Sequence, residues 1–365
     1  IAQLYLADKN FKKAIYTLEK LYQKSQNVTV YCTFLKACLL SEEEKRGDDL
    51  LKEIGKYAPQ VIVPSYDLLK QLARDGEIVA ALRLAKALLV INPKDQSLLQ
   101  AIQDFHFALV DTALAYRQSN TALQHLVEGY NTIKHTQKSI DFFAQKITAF
   151  SFHEKNADVL EILCHIMRIP EIDIRIFSKS IIKLIAFDLE SEELDEDLQN
   201  DTVSPAVYLR ILQHDDIHYL LKNDIFTHAA FEKIFTTLRK SLLIKATSLS
   251  LAQEELNFIH ALAIQCYRND YMYGIEEKEV EILTRYQDQK FHDNALTDRE
   301  TYQILCALSL YRPLFQLGVF SDQTLTTIES PSLKELLRIT YQDPLQEQEI
   351  EKHIQTLNTS DNAIS

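Results

Sequence analysis

The stretch Gln71–Pro93, QLARDGEIVAALRLAKALLVINP, decides the fold class of this chain. Its apolar residues recur every three or four positions, as on the buried face of an α-helix, and Gly76 interrupts them where a tight turn is needed. The run Ile1–Leu21, IAQLYLADKNFKKAIYTLEKL, has the same pattern about 67 residues earlier, with a polar break at Asp8–Asn10. Each stretch therefore predicts two helices joined by a short turn.

Half of that separation is close to 34 residues, the period of tetratricopeptide repeats. Residues 1–95 resemble these repeats: Ala14 and Ala81 occupy the small-residue position at which paired helices cross, and a degenerate middle unit places Gly47 there. The resemblance implies a solenoid of helical hairpins whose first helices line a concave surface that receives an extended peptide. Transferring this register position by position predicts a partner-binding groove formed by Lys36, Tyr66, Lys70 and Arg74.

Three cations around one aromatic ring can hold an acidic segment or a carboxylate terminus. The expected partner of this groove is therefore a protein or a peptide. Ordinary solvated charge on a helix is the alternative that the sequence leaves open.

The glycine content agrees with an all-α fold. The 365 residues include only 6 Gly and 8 Pro, so turns that need a positive φ are few. Phosphate and dinucleotide loops need clustered glycines, and these six are never closer than eight positions. No segment alternates convincingly with the period of two that is typical of strands. We therefore predict an all-α chain: a tetratricopeptide-like solenoid of helical hairpins followed by a second α-helical domain.

The charge and the cysteine content restrict the classes of partner and the cellular compartment that the sequence predicts. The formal net charge is −13, which disfavours both nucleic acid and an anionic membrane as partners. The five cysteines are scattered and contain no CxxC pair. This usage is typical of reduced thiols in a cytosolic compartment, rather than of a disulfide framework or a zinc site.

An acidic block divides the chain. Residues 188–201, DLESEELDEDLQND, hold eight carboxylates and no cation, so the block repels itself and has little to bury. We predict a linker over 188–203 between helical repeats over 1–187, clear over 1–95 and degenerate after, and a second helical domain over 204–365. A dock for a basic partner and a cation site are the alternatives.

The second half carries the most specific motifs. QCYRNDYMY, Gln265–Tyr273, is similar to a helix of a bacterial family that fuses tetratricopeptide repeats to a class I S-adenosylmethionine-dependent methyltransferase. In the same order that family has counterparts of Phe231–Leu243, of the turn Tyr311–Leu314, of the helix and turn in QDPLQEQEIEKHI at 342–354, and of Asp361–Ser365. The residues that match its motifs are Cys266, Tyr267, Asn269, Asp270, Tyr271, Tyr311, Pro313, Asp343 and Pro344.

Two of these residues depart from the family pattern. Asp270 stands where the family usually has glutamate, and Tyr267 where it has phenylalanine. A purely structural alternative is also open, in which Asn269 and Asp270 cap a helix and the tyrosines are core aromatics.

The family resemblance implies a non-catalytic role for these 365 residues. In that family a Rossmann-like methyltransferase domain follows the position of Ser365, so S-adenosylmethionine is expected only on such a domain and no cofactor is expected here. The chain would then recruit or position a protein substrate in the bacterial cytoplasm. A stand-alone scaffold or adaptor, or a secreted effector, without methyltransferase activity is the alternative, and homo-oligomerisation is left open.

Two groups of residues have the chemistry of a site but not its full pattern. His214 and His218 lie at i, i+4, but Asp215 stands where a metalloprotease helix has glutamate, and no third ligand is obvious. Cys164 precedes His165 in an apolar helix, and no carboxylate is expected to be arranged nearby. Neither a catalytic site nor a metal site is predicted.

Overall fold

The structure is a computed structural model that describes residues 1–25, 27–41, 44–54, 60–189, 204–226 and 229–361. Within these ranges the regular elements are helices and no β-strand occurs, which confirms the all-α prediction. One isolated bridge pairs Phe291 with Gly318. None of the helices in the described part combines the length and the apolar character needed to cross a bilayer.

The chain forms two compact units, Ile1–Phe150 and Ser151–Ser365. The helices of the first unit are α1 (Ala2–Ala7), α2 (Phe11–Ser25), α3 (Val28–Leu39), α4 (Glu44–Glu53), α5 (Ile62–Arg74), α6 (Ile78–Ile91), α7 (Gln96–Ala115), α8 (Ser119–Thr132) and α9 (Gln137–Ile147).

The helices of the second unit differ more in length. They are α10 (Ala157–Ile166), α11 (Ser178–Leu189), α12 (Pro205–Leu212), α13 (Asp215–Asn223), α14 (Ala229–Thr247), α15 (Gln253–Arg268), α16 (Glu277–Arg285), α17 (Arg299–Leu308), α18 (Leu314–Leu317), α19 (Asp322–Thr327), α20 (Pro331–Leu337) and α21 (Asp343–Asp361). Short 3₁₀ turns cover Ile174–Ile176 and Asp293–Leu296, and a π-helical turn over Arg338–Gln342 joins α20 to α21.

The division between the two units falls after residue 150, whereas the acidic block predicted a linker over 188–203. Most of that block, residues 190–203, lies outside the described residues. The helices α10 and α11 precede this part of the acidic block. They belong to the second unit because they bond to the part of the chain that follows the block. Arg210 of α12 donates a hydrogen bond of 2.7 Å to the carbonyl of Asp188, at the end of α11.

In the first unit each helix packs mainly on its neighbours in sequence. α2 contacts α1 and α3, α3 contacts α4 and α5, α6 contacts α4, α5 and α7, and α8 contacts α7 and α9. Small residues allow these close crossings. Ala14 and Ala81 are fully buried, and a Cβ atom on Gly47 would lie 3.3 Å from the Arg83 guanidinium and 3.8 Å from the Cys38 backbone. The three small residues recur every 33 or 34 positions.

The second unit is built around α15. Eleven consecutive or near-consecutive residues of this helix, from Glu255 to Cys266, are buried, because α12, α13, α14, α17 and α20 all pack against it. A helix that is apolar on every side belongs in the interior of a protein. The sequence LNFIHALAIQC at 256–266 explains why α15 takes that place.

Candidate functional site

A groove of about 820 Å³ opens between α1, α3 and α5 in the first unit. Its walls include apolar side chains such as Leu6, Val28 and Leu68. Hydroxyl and amide groups that can bond to a peptide backbone lie among them: Gln3, Thr29, Thr33 and Gln71.

The charges in this groove are mixed. Lys9 and Lys36 face three carboxylates, those of Asp67, Asp75 and Glu77. The ammonium group of Lys36 lies 3.3 Å from the Asp75 carboxylate, so an ion pair joins α3 to the end of α5. The groove therefore lacks the excess of positive charge that the sequence predicted.

The structure does not bring the four predicted groove residues together. Of these four, only Lys36 lines the groove. The Tyr66 hydroxyl donates to the Asp95 carboxylate at 2.5 Å, and burial together with this carboxylate raises the pKa of Tyr66 to about 12. Lys70 extends into solvent 3.9 Å from Asp67, and Arg74 is also exposed.

The difference between the predicted and the observed lining lies in the rotation of α5. One residue corresponds to about 100° around an α-helix, so a small shift of register turns different side chains toward the groove. The residues of α5 that line it are Pro64, Asp67, Leu68 and Gln71. A signal for the groove was present on α3, where Thr29, Thr33 and Lys36 follow one helix face at i, i+4 and i+7.

A second cavity, of about 460 Å³, lies in the second unit and collects most of the family-motif residues. Six of the nine line it: Tyr267, Asp270, Tyr271, Tyr311, Pro313 and Pro344.

Of the other three motif residues, Cys266 is fully buried in α15 and Asn269 forms the C-terminal end of that helix. Asp343 forms an ion pair of 2.8 Å with Arg338 at the start of α21. The predicted turn at 343–347 is therefore the first turn of a helix, and residues 362–365 of the last motif lie outside the described residues.

Tyr311 connects this cavity to a buried ion pair. The Arg239 guanidinium lies 3.2 Å from the Glu279 carboxylate, and both side chains are 1 % exposed. The Tyr311 hydroxyl donates to the same carboxylate at 2.5 Å, and its ring lies 4.4 Å from the guanidinium. Burial, with the charge of Glu279, raises the pKa of Tyr311. Arg239 also donates to the carbonyls of Tyr273 and Gly274, so α14, α16 and the segment between α15 and α16 are held together.

Arg239 and Glu279 are not among the site residues predicted from the sequence. A signal was present, because Arg239 lies on the apolar face of α14, at i+4 from Phe235 and i−3 from Leu242. An arginine in such a position is buried only if a carboxylate and hydrogen-bond acceptors compensate its charge.

The backbone beside the cavity adopts an unusual conformation. Asp270 and Tyr271 have φ angles of 53° and 56°, in the left-handed region, immediately after α15. Glycine is the usual residue at such a helix end, since side chains with a Cβ atom are strained there.

One group of side chains in the described part of the chain has donor atoms spaced for a metal ion: His106, His125 and Glu128, within 4.8 Å of one another. The two Nδ1 atoms lie 3.1 Å apart, a hydrogen-bonding distance between neutral imidazoles. Glu128 accepts hydrogen bonds from Lys86 at 2.9 Å and from Gln124 at 3.0 Å. Burial and the charge of Lys86 lower the pKa of His106 to about 4, so α7 and α8 are joined by uncharged rings.

A further cavity in the second unit contains Cys164, His214 and Asp216. Burial, and then the charge of Asp216, raise the pKa of the Cys164 thiol, so it stays protonated and is a poor nucleophile. His218 points elsewhere, with its ring 5.4 Å from that of Phe258. The two histidines of the HDDIH string therefore have separate surroundings.

No family model, curated protein or solved structure matches this chain. The resemblances to tetratricopeptide repeats and to the methyltransferase family rest on the residues quoted above.

Proposed function

We propose that the first unit is a tetratricopeptide-like repeat that binds an extended peptide in the groove between α1, α3 and α5. The observation that carries this proposal is the groove itself, about 820 Å³ between the first helices of three successive helical pairs. The recurrence of Ala14, Gly47 and Ala81 every 33 or 34 residues supports the repeat. The solenoid arrangement of these pairs is part of the proposal.

The groove offers both kinds of contact that an extended peptide needs. A peptide backbone in a groove must find hydrogen-bond partners, because its buried N–H and C=O groups are costly when unpaired. Thr29, Thr33 and Gln71 can supply them from α3 and α5. Leu6 and Leu68 provide apolar surface for alternate side chains.

The charges favour a peptide that carries a basic side chain. Asp67 and Glu77 are exposed at the α5 side of the groove, with the Asp67 side chain 73 % exposed. Lys36 is already engaged with Asp75. An acidic segment would therefore meet exposed carboxylates rather than the cluster of cations that the sequence predicted.

A peptide array tests this proposal. The chain is incubated with arrayed random decapeptides, and the selected peptides are titrated by calorimetry against the wild type and two variants of α5. We expect basic residues to be enriched, and Asp67→Asn to weaken binding by about three- to fivefold, as for an exposed ion pair. Arg74→Gln is the matched control on the same helix, outside the groove, and should change nothing. Enrichment of acidic peptides whose binding is lost in Arg74→Gln would contradict the proposal.

A second candidate function concerns the second unit, as the regulatory-type region of a class I methyltransferase. One observation favours it: six residues from three separate family motifs line a single cavity. The chain would then recruit or position a protein substrate for a catalytic domain encoded after Ser365, and S-adenosylmethionine would bind only that domain.

The test of this candidate is the coding sequence that follows Ser365, combined with a methyl-transfer assay of the full gene product. We expect an acid–x–glycine–x–glycine loop after a strand in that sequence. Residues 1–365 alone should give no heat of binding with S-adenosylmethionine. A gene product without such a loop and without methyl transfer would favour the scaffold or adaptor alternative.

A further inference from the structure

The cavity of the second unit is walled by aromatic rings and carboxylates. The rings of Tyr267 and Tyr271 stand almost at right angles, with centroids 6.5 Å apart and an interplanar angle of 74°. Asp270 lies between them in sequence, and Glu347 of α21 lines the same cavity. Both carboxylates are on exposed residues. Two ring faces that meet at an angle, with acids beside them, are the arrangement that receives organic cations in proteins.

The electrostatic field at this cavity is negative. Burial, and then the charges of Glu347, Asp343 and Asp270, raise the pKa of Tyr267. Among the described residues of the lining the one cation is Arg312, which donates to the backbone carbonyl of Gln287 at 3.2 Å. Such a field raises the local concentration of cations.

The strained backbone points to the same place. Asp270 and Tyr271 keep their side chains at left-handed positions where glycine would relieve the strain. The buried hydroxyl of Tyr271 also has no hydrogen-bond partner among the described residues. Both of these side chains line the cavity.

We propose that this cavity binds an organic ammonium group, carried by a lysine-type side chain of a peptide or by a free small molecule. The faces of the Tyr267 and Tyr271 rings contact the cation, and Asp270 and Glu347 neutralise its charge. This site is separate from the peptide groove of the first unit, and it stands whether or not that groove binds a partner.

Calorimetry on the full chain with a charged probe and its uncharged isostere tests the proposal. Choline should bind at least about tenfold more tightly than 3,3-dimethylbutan-1-ol, which has the same shape without the charge. A short peptide with a central trimethyl-lysine is the third probe. Tighter binding of this peptide than of choline identifies a side chain as the ligand, and equal binding identifies a free small molecule. Equal affinity for choline and the alcohol, or no binding of any probe up to millimolar concentration, would overturn the proposal.

Variants separate binding from folding. Asp270→Gly removes the carboxylate and relieves the backbone, so the Tm should stay level or rise while choline binding falls at least about fivefold. Glu347→Gln should weaken binding in the same direction without a backbone change. Glu277→Gln, an exposed carboxylate outside the cavity, is the control and should leave binding unchanged. Wild-type affinity in both Asp270→Gly and Glu347→Gln would rule out this site.

Discussion

The two units of the chain are both helical, but they bury different kinds of side chain. In the described part of the first unit the buried polar side chains are Ser65, Gln103, Ser139 and the uncharged His106. The second unit buries Arg239, Glu255 and Glu279. Their formal charges also differ, because residues 1–150 hold 19 Lys and Arg against 16 Asp and Glu, or +3, and the second unit holds −16.

The difference shows two ways of holding helices together. In the first unit neighbouring helices pack through small and apolar residues, so stabilising contacts are mostly local. In the second unit buried polar and charged side chains also join separate segments. Arg239 bonds to residues 34 to 40 positions away, and His260 bonds to Tyr302 and Ser332, 42 and 72 positions away. Ion pairs in the first unit span similar separations, but those of Lys36 with Asp75 and of Lys86 with Glu128 are partly exposed. Loss of one polar partner should therefore destabilise the second unit more than a surface charge change destabilises the first.

The largest expected effect is that of Glu279→Leu. The substitution leaves the Arg239 guanidinium buried without a carboxylate, which costs about 3–5 kcal/mol of unfolding free energy. Urea denaturation measures the loss, and hydrogen exchange should locate it in the second unit. The double variant Arg239→Met with Glu279→Leu removes both charges and should recover most of the stability. A loss below about 1 kcal/mol in the single variant would contradict the role of this ion pair.

The matching substitution in the first unit is Ala81→Leu. Ala81 is fully buried where α6 meets its neighbours, so a larger side chain must push helices apart, at a cost of about 1–3 kcal/mol. Val90→Leu adds volume on the exposed side of the same helix and should change stability by less than about 0.5 kcal/mol. Equal effects of the two variants would show that the small residue has no packing role.

The stability of the second unit should fall in acid because of its buried histidine, His260. Burial lowers the pKa of His260 to about 3, from about 6.5 when unfolded. As the pH falls, His260 is therefore protonated in the unfolded chain before it is protonated in the folded one. The stability that the neutral His260 contributes is complete above pH 6.5 and is lost as the pH falls toward 3. Between these two pH values the free energy of unfolding should fall by about 1.4 kcal/mol for each pH unit. The variant His260→Gln should be less stable than the wild type at pH 7, but its free energy of unfolding should change less between pH 6.5 and 5. Parallel plots of unfolding free energy against pH for the two proteins would contradict this assignment.

The smallest expected effect is that of Asp75→Asn in the groove. The Lys36–Asp75 ion pair is partly solvated, with the Asp75 side chain 48 % exposed, so its loss should cost less than about 1 kcal/mol. The effect should shrink further in high salt, since screening weakens exposed pairs. A loss as large as that of Glu279→Leu would remove the distinction between the two units.

The helical fold was predictable from the sequence because it depends on a period that every helix repeats. Helix caps also depend on local sequence: Asp298 caps α17, accepting from the Thr301 N–H at 2.9 Å, and Ser330 caps α20. Ser332, two residues after that cap, bonds instead to His260 of a distant helix. That bond depends on tertiary structure, which the local pattern does not contain.

The candidate sites were predictable only in part, for the same reason. The motif residues of the second unit come from three separate segments of the chain. The resemblance to the family identified them from the sequence, and the structure places six of them around one cavity. The groove prediction found Lys36 but missed Asp67 and Gln71, because the register of α5 depends on how it packs against α3 and α6. The pairing of Arg239 with Glu279 joins residues 40 positions apart, and no local pattern specifies such a pair.

Amide hydrogen exchange with and without a peptide selected from the array tests the central claim most directly. We expect the peptide to slow exchange in α1, α3 and α5, while α2, α4, α6 and the whole second unit keep their rates. Slowed exchange confined to the outer helices α2, α4 and α6, or to the second unit, would contradict a peptide-binding groove in the first unit.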